Sequence, residues 1–340
     1  MCHPVQTNRG PSGVSLIELM VALLLGLLLV IGAVTMYAQC QRTVRTLETT
    51  ARLQEVARLA FDVLENDIRM AGYWGLVDRA DLIEGRAAPL ADRPAAFTPL
   101  QGARIDHCGG TTSNWAIDLE RYLDGSNNGY ALSCGAFGGD PGVGSDTLVI
   151  RRATESADAR LDPERIYVQA GRTAGALFVP AATCTDSTNA SCVPTVEPPS
   201  AAESRVLTVR AYYVAGRSTL GTDVPSLRRK SFGNPNAATA AGAVTDEEIV
   251  PGVEDLQVHF GVDTDGDTNA DQYVNPGSVP SGATVVSATV WLRIRAEQRE
   301  IGHVDDRAYQ YADMAAPLTP NDDYRRILVS KTIHLRNTRA

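Results

Sequence analysis

Gly13-Val14-Ser15-Leu16-Ile17-Glu18, followed at once by the apolar run Leu19–Met36, decides how this chain is built. No charged residue occurs between Leu19 and Gln41. A charge-free apolar run of about 18 residues or more is long enough to cross a bilayer as a helix. Residues 14–38 are therefore expected to span a membrane once. Glu18 stands out at the leading edge of that run. An ionised carboxylate at the border of hydrocarbon is costly unless paired, which makes Glu18 a candidate functional residue.

The residues ahead of the run are short and polar, with Arg9 the only Lys or Arg and no acid. A secretory signal peptide places its cleavage site after the apolar run, whereas Gly13 stands before it. A polar leader, a Gly, four residues, a Glu and a spanning helix together resemble the class III signal of type IV pilins and pseudopilins. The resemblance implies cleavage between Gly13 and Val14 by a prepilin peptidase and N-methylation of Val14. It also implies that Glu18 pairs with an N-terminal amine, its own or a neighbour's, and so sets the register of packed subunits. This chain has Val14 where the family usually has Phe. The competing readings are an uncleaved anchor and a signal peptide cut near Ala38. The basic residues weigh against a cytoplasmic N-terminus, because Arg42 and Arg45 follow the helix and only Arg9 and the initiator amine precede it. The prepilin motif and the exported look of the cysteines outweigh that count.

After Gln41 the pattern stays helical and turns amphipathic over residues 39–75. Val44, Leu47, Ala51, Val56, Leu59, Ala60, Val63, Leu64, Ile68 and Ala71 recur at helical steps, predicting one apolar face. Asp67 and Arg69 are expected to be exposed or locally paired. Gly72 suits the position just past the helix end. The segment Arg58–Gly75, with its Asp67-Ile-Arg-Met-Ala-Gly-Tyr-Trp-Gly75 close, resembles the PilW family of minor pilins. So do Val253–Asp267 and the closing Lys331-Thr-Ile-His-Leu-Arg-Asn337.

The net charge of −9 argues against a general nucleic-acid binder. Arg228-Arg-Lys230 and Arg325-Arg326 are too small for a nucleic-acid footprint. None of the six cysteines forms a CxxC pair, which disfavours a zinc ribbon. In an exported domain Cys108 with Cys134 and Cys184 with Cys192 read as two local disulfides; the alternative is four free buried thiols. Cys40 has no evident partner.

Residues 76–340 read as a periplasmic or extracellular β-rich domain, irregular up to about residue 146. Strands are expected over Thr147–Arg151, Arg165–Gln169, Ala176–Val179, Arg205–Val214, Asp255–Val262, Thr284–Ala296 and Arg326–Leu335. Alternation such as Val206, Thr208, Arg210, Tyr212 and Val214 is that of a half-buried antiparallel sheet. The fold class is therefore α+β and pilin-like: a long N-terminal helix with an antiparallel sheet packed on its C-terminal half. Ser231–Gly242 reads as a loop.

Asp263, Asp265, Asp267, Asn269 and Asp271 alternate around Gly266, as in short calcium loops. The spacing is not that of an EF-hand, and no certain cofactor follows. Ca2+ binding and a polar hairpin turn both remain open. His3, His107, His259, His303 and His334 form no metal-spaced cluster, and no nucleophile elbow occurs, so catalysis is not expected. Asp305-Asp306 and Asp322-Asp323 read as solvated loop charges.

The resemblance implies a minor pilin with residues 1–13 as leader. Its partners would be the prepilin peptidase, other minor pilins, the major pilin and the inner-membrane assembly platform. Together with the other minor pilins it would prime the pilus and sit at its tip. A J-type secretion pseudopilin and a tip-displayed adhesin are the alternatives.

Overall fold

The computed structural model describes residues 13, 15–87, 108, 115–196, 202–236 and 243–337. The chain divides into two compact units, Met1–Arg52 and Leu53–Ala340. A single helix, α1 (Leu16–Arg69), begins in the first unit and ends in the second.

In the first unit the apolar side chains from Leu16 to Met36 are exposed. This stretch has a mean hydropathy of 2.8 over its best window, and by length and composition it is enough to cross a membrane. Threonine hydroxyls within the helix are satisfied by helix carbonyls. The Thr35 hydroxyl donates to the Gly32 carbonyl at 2.9 Å and the Thr43 hydroxyl to Gln39 at 3.0 Å. Such bonding removes an unsatisfied hydroxyl from an apolar surrounding.

In the second unit α1 buries Leu53, Ala57, Ala60, Leu64, Asp67 and Ile68, a stripe at steps of three and four. The expected apolar face is thus slightly out of phase. Leu59 is 47% exposed, and Val44 and Leu47 are exposed, while Leu53 and Ala57 are buried. Gly72 takes φ +73° and its N–H donates to the Arg151 carbonyl at 3.1 Å. The turn therefore hands the helix end to the sheet. A Cβ there would meet the Tyr122 ring at 3.2 Å.

The strands are β1 (Ile83–Glu84), β2 (Leu123–Ser126), β3 (Thr147–Ala153), β4 (Tyr167–Ala170), β5 (Gly175–Phe178) and β6 (Glu203–Ala215). They continue as β7 (Ser226–Phe232), β8 (Val244–Pro251), β9 (Val253–Asp263), β10 (Gln272–Val274), β11 (Thr284–Arg295) and β12 (Arg326–His334). Strands β1 to β8 form one sheet in the order β1-β5-β4-β6-β3-β2, with β7 on β6 and β8 on β7. The other sheet runs β10-β9-β11-β12. All pairings are antiparallel except β1 with β5.

Period-two alternation sends each strand of the larger sheet into two cores. Leu148, Ile150, Tyr212 and Val214 join the helix stripe and the inner face of the smaller sheet, including Leu256, Val258, Phe260, Val290 and Leu292. Val149, Leu207, Val209 and Ala211 face the other way, onto Trp74, Val77, Ile83, Trp115, Ile117 and Leu119. The sheet-on-helix α+β architecture is as expected, but with two sheets rather than one.

Several expectations are corrected. β7 and β8 were not expected, and Ser231-Phe232, assigned to a loop, closes β7; residues 237–242 of that loop lie outside the described residues. The two strands are highly charged, so alternation does not mark them. Their charges pair across the register, with Arg228, Arg229 and Lys230 opposite Glu248, Glu247 and Asp246. Asp305 is not a solvated charge. It is 1% exposed, accepts from Arg307 Nε at 2.8 Å and from the Tyr309 hydroxyl at 2.8 Å, and lies 3.5 Å from Arg326. Asp322 pairs with Arg326 at 2.6 Å.

Candidate functional site

At the N-terminal end Ser15 precedes the first helical residue and Glu18 sits in the first turn. The Ser15 N–H points to Glu18 Oε2 at 3.4 Å. This is the reciprocal arm of a capping box, in which an acid in the first turn reaches back to an unsatisfied backbone donor. The negative side chain also lies at the positive end of the helix dipole. The carboxylate is thus turned back along the chain toward Gly13, which is exposed, while Val14 lies outside the described residues. Chemically, the arrangement offers an acceptor to amines and N–H groups at the helix start, beside a helix surface that is apolar on all sides.

The helix end carries a site that the sequence reading placed differently. Asp67 is 1% exposed rather than solvated. Arg210 Nη1 donates to both its oxygens, at 2.7 and 2.8 Å, and the Tyr212 hydroxyl donates at 2.5 Å. Arg152 donates from Nε and Nη2 at 3.2 and 3.0 Å. Burial by itself would raise the Asp67 pKa, but the Arg210 hydrogen bonds and charge, with Tyr212 and Arg152, hold it below the usual carboxylate value. The carboxylate clamps α1 to β3 and β6. Arg69 does pair locally, with Glu65 at 3.1 Å. Lys331 of β12 reaches Glu65 at 2.5 Å.

Among the expected oxygen ligands, Asp263, Asp265 and Asp267 bring carboxylate oxygens within 4.8 Å of one another. Desolvation opposes ionisation of Asp263, but N–H groups of Gly266 and Thr268, at 2.7 and 2.8 Å, favour the charged form and lower its pKa. Asp271 is not part of that group. It accepts from the Thr264 N–H and hydroxyl at 2.7 and 2.6 Å. Asn269 donates through Nδ2 to Asp267 at 3.0 Å. These bonds fold the turn between β9 and β10, with Gly266 at φ +84°.

The cysteines form disulfides Cys108–Cys134 and Cys184–Cys192, and Cys40 is free and exposed. No catalytic constellation forms among the described residues. His259 packs edge-on against Trp291 with ring centroids 4.9 Å apart, and burial lowers its pKa. A cleft of about 770 Å3 is lined by Trp74, Tyr122, Asp124, Val285 and Asn337 among others, with no histidine or cysteine on its wall.

Residues 211–337 match the family PilW, described as Type IV Pilus-assembly protein W. The match supports a PilW-family type IV pilus protein. The matched stretch runs from within β6 to the end of β12, so it contains the whole smaller sheet and the Asp263–Asp271 turn. The Gly13–Glu18 motif and α1 lie outside it. No curated protein and no solved structure matches the chain. The match supports a role in type IV pilus assembly, and PilW is described as a pilus-assembly family. The exposed apolar helix is consistent with a single-pass membrane pilus protein.

Proposed function

We propose that this PilW-like chain is a minor pilin, held in the inner membrane by residues 14–38 until it joins a filament. In this reading a prepilin peptidase cuts between Gly13 and Val14 and methylates Val14. The released amine is then a partner for the Glu18 carboxylate, its own or a neighbour's. The apolar helices pack against one another, and Glu18 sets where they stop, because a buried ion pair fixes register better than it adds stability. With other minor pilins the complex primes the pilus on its membrane platform. The PilW match carries the reading; the Gly13–Glu18 motif before an exposed apolar helix supports the processing step.

Surface pili in a strain carrying Glu18→Ala test it. The expected result is loss of pili with the protein still present in the membrane. Unchanged piliation would remove Glu18 from assembly. A deletion strain that keeps pili but loses exoprotein secretion would favour a J-type pseudopilin, and one that keeps pili but loses attachment would favour a tip adhesin.

The proposal includes a divalent cation at the β9–β10 turn. Asp263, Asp265 and Asp267 crowd like charges within 4.8 Å, and among the described residues none of them is in an ion pair. Ca2+ suits such an oxygen-only set.

A further inference from the structure

Beside the Cys108–Cys134 disulfide the second unit holds a pocket of about 200 Å3. That is smaller than the ~300–1,000 Å3 of sites for drug-sized ligands, so its occupant is small. The exposed residues Arg121 and Ala131 stand on its wall, so it opens to solvent. Arg151 also lines it, at a position where strand alternation calls for an apolar side chain. Val149 and Arg151 share one face of β3, and Val149 packs into the core that holds Trp74 and Trp115.

Arg151 is 1% exposed and, among the described residues, is in no ion pair. Its Nε donates to the Trp115 carbonyl at 2.8 Å and its Nη1 to the Arg121 carbonyl at 2.5 Å. These bonds hold residues 115–121 against β3. Its Nη2 has no acceptor among the described residues. The Trp115 ring centroid lies 5.9 Å from Arg151 Cζ, and the Trp115 Nε1–H is buried without an acceptor. A buried donor left unpaired is costly, and a charged one more so.

Two acids, Asp118 and Asp124, stand on the same wall. Asp118 comes no closer than 3.9 Å to Arg121, and Asp124 is in no ion pair among the described residues. Burial pushes the Arg151 pKa down, although the charges of Asp124 and Asp118 pull it up. Burial pushes the Asp118 pKa up, although Arg151 and Arg121 pull it down. Both charged forms are thus disfavoured at once around one pocket, which close pairing between them would prevent.

We propose that this pocket binds a small zwitterion of the α-amino acid class. The ligand carboxylate takes the open donors Arg151 Nη2 and Trp115 Nε1, and its ammonium takes Asp118 and Asp124. A ligand with only one of the two charges answers one side and leaves the other unpaired. Leu132 and Val149 add apolar wall for a short aliphatic side chain. The inference uses the second unit alone and stands apart from the pilin reading.

The test is saturation-transfer NMR with L-alanine on the full chain in detergent micelles, disulfides intact. Propionate and ethylamine are its matched halves, the first without the ammonium and the second without the carboxylate. Arg151 also holds residues 115–121, so two gentler variants carry the mutational arm. Trp115→Phe keeps the ring and removes the N–H, and Asp124→Asn removes one negative charge. L-alanine is expected to bind the wild type and to bind each variant about tenfold or more weakly, the loss of one hydrogen bond to a charged group. The far-UV spectra should stay unchanged, and both halves should bind the wild type more weakly than L-alanine. The comparison with the halves needs no variant to fold. Absence of transfer to L-alanine, equal affinity in wild type and both variants, or a half that binds as tightly as L-alanine overturns the inference.

Discussion

Asp67 shows how a single carboxylate can decide where a helix ends. Its ligands come from residues 85 and 143 positions away in sequence, so no local pattern announces it. In the helix it reads as one more polar residue, which is why its burial had to come from the structure. Asp67→Asn leaves Arg152 and Arg210 without their carboxylate and is expected to destabilise the fold by about 3 kcal/mol, the cost of breaking a buried pair. Because the folded carboxyl is held below its ordinary pKa, this stability is present above the ordinary carboxylate range and is lost as pH falls through the lower folded value. Denaturant titrations of wild type and variant should therefore diverge most at pH 7 and draw together as pH falls through and below the carboxylate range. A difference between the two that does not shrink as pH falls would contradict the ion-pair account. Glu18, by contrast, was legible from the start, since an acid beside an uninterrupted apolar run needs a reason to be there.

At the scale of elements, the phase of the helix and the turn between β9 and β10 are the parts most open to test. Leu64 is 0% exposed and Leu59 is 47% exposed, although the periodic pattern placed both on one face. Leu64→Ala should cost about 2–5 kcal/mol, the range for a buried large-to-small change, and Leu59→Ala less than about 1 kcal/mol. Similar losses from the two variants in thermal unfolding would mean the buried stripe is misplaced. Strands such as β6, β9 and β11 were legible because one or both faces are apolar. β7 and β8 were not, because their information lies in the match between Arg228-Arg-Lys230 and Asp246-Glu-Glu248, and neither segment carries it alone. The Asp263–Asp267 group was legible as a candidate cation loop, and the proposal predicts a higher unfolding midpoint in Ca2+. At a concentration 100 times the dissociation constant the gain is about 2.7 kcal/mol. No difference between Ca2+ and excess chelator would leave a hydrogen-bonded turn and no cation. Asp271 lies outside this group because Thr264 engages it, a choice that spacing alone does not reveal.

Across the whole molecule, the chain combines an exposed apolar helix, a β-rich unit stapled by disulfides and a C-terminal stretch that matches PilW. The staples span 26 and 8 residues, so loop-closure entropy assigns the larger contribution, about 3–4 kcal/mol, to Cys108–Cys134 and about 2–3 kcal/mol to Cys184–Cys192. Replacing each pair by Ser should lower stability in that order; the reverse order would contradict the entropic account. The central claim is that the apolar helix is a processed assembly shaft rather than a permanent anchor. The mass of the chain recovered from the membrane of its own cell tests it most directly. The account predicts an N-terminus at Val14 with a methylated amine; a chain that begins at Met1, or after Ala38, would contradict it.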